Sequence, residues 1–193
     1  MGNYKESIAI IIPALDPDER MVSLVGQLHD DGFSNIILVD DGSLIANRKY
    51  FKTCKETCHC KIIRHVVNFG KGIALKSAFN YILEQRPDIK GAVTVDCDGQ
   101  HVLPDINTCA KLTYEHPDSL ILGCRQFDDK EIPLRSRFGN KLTRQMIRLL
   151  CGIHVSDTQT GLRGLPTPLI REHFANVKGE RFEYEMNMLI AAK

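Results

Sequence analysis

Asp96 and Asp98 end an apolar run and are followed at once by Gly99. Two carboxylates two residues apart can aim at one point where a strand gives way to a turn. Hard oxygen ligands of this kind suit Mg2+ or Mn2+, which commonly bind through one or two carboxylates plus substrate phosphates. A bare D-x-D is common, and the same residues also make an ordinary solvated turn. Asp40-Asp41-Gly42-Ser43 repeats the arrangement after another apolar run. Asp40 or Asp41 could accept hydrogen bonds from a ribose hydroxyl or a base N–H, and Asp-Gly-Ser is equally suited to a tight turn. In Asn68-Phe69-Gly70-Lys71-Gly72 the glycines permit close backbone approach, a helix N-terminus favours anions and Lys71 adds charge. The spacing is not that of a Walker A loop, and a plain strand-to-helix turn also fits it. Glu183 and Glu185 are further candidate carboxylates, or else acidic first-turn residues favoured by a helix dipole.

These groups need a frame that gathers them. Short runs rich in Ile, Val and Leu at 7–13, 35–40, 61–67, 92–96 and 119–123 predict strands buried on both faces. Helical patterns lie between them. The first has Asp16 as cap, Pro17 at the first helical position, Glu19 three after the cap and Gly32 as terminator. Its buried stripe is Val22, Val25 and Leu28. A second runs over 71–86, with Leu75, Phe79 and Ile82 inward and Pro87 as stop. A third starts near Pro104, a fourth covers 138–150 and a fifth begins near Phe182. The alternation predicts an α/β domain, a mostly parallel central sheet flanked by helices, with ligands beyond the carboxyl ends of the strands. The acidic motifs follow those strand ends, so polar groups collect on one rim.

The totals are compatible with a single domain over 1–193: 43% hydrophobic residues, 25% charged and a net charge of +1. No global charge points to nucleic acid, so anion binding needs a local basic cluster. Seven cysteines and no signal pattern indicate free thiols in a reducing compartment. Cys54, Cys58, His59 and Cys60 are soft ligands close together, but their spacing matches no usual zinc knuckle. An ordinary surface segment is the expectation there.

In order along the chain, IIPALDPDE, VDDGS, NFGKGIALKSAFNYIL, DCDGQH, GCR, PLRSRFGNKLTRQMIRLLCG and DTQTGLRG resemble successive motifs of family 2 glycosyltransferases with the GT-A fold, most closely the dolichol- and polyprenol-phosphate sugar synthase branch. The resemblance covers nearly the whole chain. It implies an inverting, metal-dependent transfer of a sugar from a UDP- or GDP-sugar to a polyprenyl phosphate, with Mg2+ or Mn2+ as cofactor. It implies a donor nucleotide site at Pro13, Ala14, Asp16, Asp41, Lys71 and Asp96. A metal would be held by Asp96, Asp98 and Gln100, with Asp98 as principal ligand. The acceptor phosphate would meet Arg125, Arg135 and Arg137, whose planar guanidinium forks suit it. Asp157 and Gln159 would approach the sugar as catalytic candidates, although Asp157 equally suits capping of the turn that follows it; Glu183, chosen from its place near the last helix and not from the resemblance, is the third. Cys97 stands where the family usually has Ala, and strand alternation points it away from the ligand.

Other functions share parts of this pattern. A same-fold transferase with a soluble or glycan acceptor would keep the donor motifs. A nucleotidyltransferase would need a Gly-rich basic loop after the first strand, where ALDPDE stands instead. A non-catalytic nucleotide-binding module is a further class. No run reaches the roughly 20 apolar residues of a membrane span. Segment 138–150 is basic and amphipathic, suited to an anionic membrane surface or to packing on the core. The family usually continues past the point where this sequence stops, so the expectation is a protein that works at the cytoplasmic face of a membrane through further segments.

Overall fold

The computed structural model describes residues 3–123 and 161–192. The 138–150 helix expected from sequence lies outside them, as do Arg125, Arg135, Arg137, Asp157 and Gln159.

The described chain runs α1 (Tyr4–Ser7), β1 (Ile8–Ala14), α2 (Glu19–Asp30), β2 (Ile36–Asp40), a 3-10 turn (Ile45–Asn47), α3 (Arg48–Cys58), β3 (Lys61–Arg64) and α4 (Lys71–Gln85). It continues with β4 (Gly91–Thr94), α5 (Leu103–Glu115), β5 (Ile121–Leu122), β6 (Arg163–Pro166), α6 (Thr167–Asn176) and α7 (Glu183–Ala191). The sheet order is β3-β2-β1-β4-β6-β5. β1 to β4 pair in parallel, while β6 runs antiparallel between β4 and β5.

β1 alternates as its period of two requires. Ile8, Ile10 and Ile12 join Met21, Leu28, Phe51 and Ile106 under α2, α3 and α5. Ala9 and Ile11 join Leu75, Phe79, Ile170 and Tyr184 under α4, α6 and α7. Both faces of the sheet are therefore covered, which explains the continuous apolar strands.

Three expectations change. The cap of α2 is Asp18, whose Oδ1 accepts from Arg20 N at 2.9 Å, and not Asp16. Asp16 adopts φ +49° and ties two loops together instead. The cysteine cluster is the end of α3 and the two residues that lead into β3, not a surface segment, with Cys54 and Cys60 buried in the core. The antiparallel β6 and helix α6 carry no sequence pattern of their own, since the turn residues of Arg-Gly-Leu-Pro mask the strand. Gly164 is needed there, since a Cβ would lie 1.8 Å from Thr113 Oγ1.

Candidate functional site

The carboxyl ends of β1, β2 and β4 and the start of α7 enclose a cleft of about 410 Å3. Pro13, Ala14, Asp41, Lys71, Asp96 and Asp98 line it, so six residues chosen from scattered motifs meet at one place. Asp16 stands beside it. Its Oδ1 accepts from Leu44 N at 2.8 Å and from Asn47 Nδ2 at 3.0 Å, and its own N–H donates to Ser43 Oγ at 2.9 Å. It fastens the β1 loop to the β2 loop.

The two residues of the Asp-Asp pair divide their work. Asp40 is fully buried and accepts from Ser43 N at 2.8 Å and Arg64 Nε at 2.7 Å, so it builds the turn. Asp41 accepts from His65 Nδ1 at 2.7 Å, Phe69 N at 3.0 Å and Gly70 N at 2.8 Å. The anion at the start of α4 is thus the protein's own Asp41, and the Ile73 N–H is taken by Glu180 O at 3.0 Å. The glycines of this loop likewise serve the chain itself. A Cβ on Gly70 would lie 2.7 Å from Glu180 O, and one on Gly72 2.7 Å from Glu180 C. They let the loop before α7 close down on α4.

Lys71 projects into the cleft between two carboxylates. Its Nζ donates to Asp96 Oδ1 at 2.6 Å and lies 3.0 Å from Glu185 Oε2. Burial works against its charge, but Glu185 and then Asp96 outweigh that and raise its pKa. Burial alone would raise the Asp96 carboxyl. The neighbouring His101 ring, 3.6 Å away, and the Lys71 ammonium overcome this and hold it well below the usual range. Behind Glu185 stands buried Arg163, with Nε 3.8 Å from Glu185 Oε1 and a guanidinium N–H donated to the Glu185 carbonyl.

Asp98 lines the cleft with Oδ1 accepting from Gln100 N at 3.0 Å. The Gln100 side chain is exposed and contributes only its backbone to this turn. Cys97 borders the cleft, and it packs with Val93 and Val95 against the core under α2, α3 and α5, the side that strand alternation gives it. Burial, then the charges of Asp96 and Asp98, push its thiol up to about 11, so it stays protonated near neutrality.

Glu183 stands outside the cleft. Its Oε1 accepts from Glu180 N at 2.9 Å and Arg181 N at 3.1 Å, a capping role. Glu185, the other carboxylate of the Phe-Glu-Tyr-Glu stretch, is the one that lines the cleft. Arg163, Arg181 and His101 also went unassigned in sequence. Arg163 and His101 stood inside quoted motifs, whereas Arg181 had no local signal.

Among the described residues the cleft lining carries four carboxylates, Asp41, Asp96, Asp98 and Glu185, against two cations, Lys71 and Arg181. Such a balance disfavours a bare diphosphate and favours one accompanied by a divalent cation. The donors fit such an ion: hard oxygens at Asp98 and Asp96. No third His, Cys, Asp or Glu completes a ligand group among the described residues. Phosphate oxygens and water would supply the remaining positions, as is usual for Mg2+.

The family model described as "Glycosyl transferase family 2" matches residues 10–174. The UDP-N-acetylglucosamine–dolichyl-phosphate N-acetylglucosaminyltransferase of Methanococcus voltae is 30% identical over 202 residues, covering 96% of this chain and 80% of that enzyme. The dolichyl-phosphate beta-glucosyltransferase of Mus musculus is 23% identical over 210 residues, covering 97% of this chain and 63% of that enzyme. Among solved structures, glucosyl-3-phosphoglycerate synthase from Mycobacterium tuberculosis, in complex with Mn2+, UDP and phosphoglyceric acid, superposes with a TM-score of 0.66 at 17% identity. That match covers 96% of this chain and 63% of the synthase.

Proposed function

The chain belongs to glycosyl transferase family 2, and we propose that within it the chain moves a sugar from a nucleoside-diphosphate sugar to a polyprenyl phosphate, inverting the anomeric centre. The observation that carries the reading is the acidic cleft at the strand ends, where Asp41, Lys71, Asp96 and Asp98 converge. The acceptor class is supported by the dolichyl-phosphate transferases of Methanococcus voltae and mouse. UDP is supported as donor nucleotide by the Methanococcus enzyme and the mycobacterial complex.

Pro13 and Ala14 give the nucleoside an apolar wall. Asp41 has one oxygen doubly engaged and the other singly engaged, which leaves Oδ2 an acceptor site for a base or ribose donor. A divalent ion, Mg2+ or Mn2+, would be held by Asp98 with Asp96 beside it, and when bound supplies Lewis-acid stabilisation of the leaving diphosphate. Lys71 fixes the Asp96 carboxylate in one rotamer and adds a positive charge near the diphosphate. Glu185 in turn holds Lys71. A phosphate monoester acceptor, with a second pKa of about 6, is mostly dianionic near neutrality and needs little general-base help. Positioning then dominates. Arg125, Arg135 and Arg137 are proposed to hold that phosphate, with Asp157 and Gln159 toward the sugar.

The test is transfer from radiolabelled UDP-N-acetylglucosamine, UDP-glucose and GDP-mannose to a short-chain polyprenyl phosphate, with Mn2+ and with chelator. Label appearing in the lipid phosphate only with metal is expected. Label appearing in a soluble acceptor such as phosphoglycerate, and in no lipid phosphate, would replace this reading with a soluble-acceptor transferase, the activity type of the mycobacterial synthase.

A further inference from the structure

The rim outside the cleft is apolar where a water-facing loop has no reason to be. Leu44 and Ile45 follow β2 and are 67% and 82% exposed, while Val66 and Val67 follow β3 and are 88% and 53% exposed. Scattered exposed apolar residues are ordinary, but a contiguous group is not. These four belong to one group. Gly42, two residues before Leu44, packs so closely on the β3 loop that a Cβ there would lie 2.3 Å from Val67 C and 2.5 Å from Asn68 N. Because β2 and β3 are neighbouring parallel strands, their carboxyl-end loops point the same way.

Beside this apolar edge runs a basic groove. Arg48, Lys49, Lys52 and Lys55 on α3 and Arg64 on β3 line it, around a volume of about 510 Å3. Residues 48–64 carry six Lys or Arg against one carboxylate, although the whole chain is only +1. Arg48 is tied to the apolar loop itself through Nε donated to Ser43 O at 3.3 Å. α3 leads down from the rim at about 1.5 Å per residue, so Lys55 lies only about 10 Å below Arg48. That is about a Debye length at 0.1 M salt, so a charged surface laid on the rim attracts the whole groove.

We propose that this edge docks the chain on an anionic lipid bilayer, with Leu44, Ile45, Val66 and Val67 entering the headgroup boundary and the α3–β3 cations facing anionic headgroups. The combination of a small apolar wedge and adjacent cations is what such a surface selects. The same docking brings the strand ends that line the cleft toward the bilayer. That orientation rests on the proposed lipid-phosphate acceptor, whose reactive end emerges from a membrane.

The experiment is co-sedimentation of the chain with vesicles of phosphatidylcholine alone and with about 30 mol% phosphatidylglycerol, in about 0.1 M and about 0.5 M salt. Binding to the anionic vesicles, weakened by salt, is expected. Ile45→Ser/Val66→Ser and Lys49→Glu/Lys52→Glu should each lower the partition coefficient about tenfold or more. UDP-dependent thermal shifts should not change in either variant. Equal binding to neutral and anionic vesicles, or unaltered binding by both variants, overturns the proposal. So does a dimer in ultracentrifugation that Ile45→Ser/Val66→Ser dissolves, which would make a second copy the occupant, or capture of an acidic protein in preference to vesicles. Failure to bind vesicles while transferring sugar to a water-soluble short-chain polyprenyl phosphate removes the docking and leaves the function. Vesicle binding without transfer to any polyprenyl phosphate does the reverse.

Discussion

Lys71 is mostly buried between Asp96 and Glu185, so its charge is compensated from both sides. Replacing it with Met leaves two carboxylates facing each other in a partly dry cleft. Loss of one partner from a buried pair costs about 3–5 kcal/mol, whereas removing both is far milder. Lys71→Met should therefore unfold at lower denaturant than the parent, and adding Glu185→Gln should restore part of the difference in a double-mutant cycle. Additive losses would show that the two do not interact. Asp98 has the opposite character: half-buried at the cleft, with only a backbone N–H on one oxygen. Asp98→Asn should spare the fold and lower metal-dependent transfer about a hundredfold or more, since Lewis-acid stabilisation is worth several kcal/mol. Activity against Mn2+ concentration checks it; full activity at limiting metal assigns the ion elsewhere.

At the scale of elements, β6 enters antiparallel beside β4 and brings Gly161 against the Asp96–Asp98 motif. A Cβ there would fall 2.0 Å from Asp96 Oδ2. Gly161→Ala should push Asp96 off Lys71 and lower kcat/KM about a hundredfold, the order expected when a site group moves by about 1 Å. Thermal stability should fall much less. Helix α6 carries a different liability. His173 is fully buried, and burial lowers its pKa below the ordinary 6.5. The unfolded chain takes up a proton as pH falls through about 6.5 while the folded chain does not. The stability this residue contributes is therefore complete above that pH and lost progressively below it. Chemical denaturation at pH 7.5, 6.5 and 5.5 should show the decline, and His173→Phe should flatten it. An unchanged slope in the variant would place the titrating group elsewhere.

For the whole molecule, the cleft joins elements from both ends of the described chain, from β1 to α7, so a ligand there stabilises the entire domain. At a hundred times its Kd, UDP with Mn2+ should add about 2.7 kcal/mol. For a domain of this size that is a rise of about 5–10 °C in Tm. UDP without metal should give a small shift, because among the described residues four carboxylates oppose two cations in the lining. Equal shifts with Mn2+ and with chelator would remove the metal from the site.

The sequence determined what depends on neighbours along the chain. Apolar runs with acidic ends produced β1, β2 and β4 and placed Asp41, Asp96 and Asp98 on one rim, because parallel strands share a direction. Gly32 ended α2 with φ +98°, a conformation that glycine adopts without cost. Tertiary structure decided everything that depends on which side of an element meets another. Glu183 and Glu185 are two residues apart, and on a helix that is roughly 200°. Only the docking of α7 against α4 determined that Glu185 faces Lys71 while Glu183 caps a turn. Asp40 and Asp41 looked interchangeable until the β3 loop folded back and took Asp41 as the anion for the start of α4. Cys54 looks like a surface residue because α3 is otherwise so charged, yet the helix seals Phe51 and Cys54 on the sheet, and Cys60, just past the helix, joins the same core. Local propensity is set by adjacent residues, whereas burial is set by packing partners far away in the chain, and those no stretch of sequence contains.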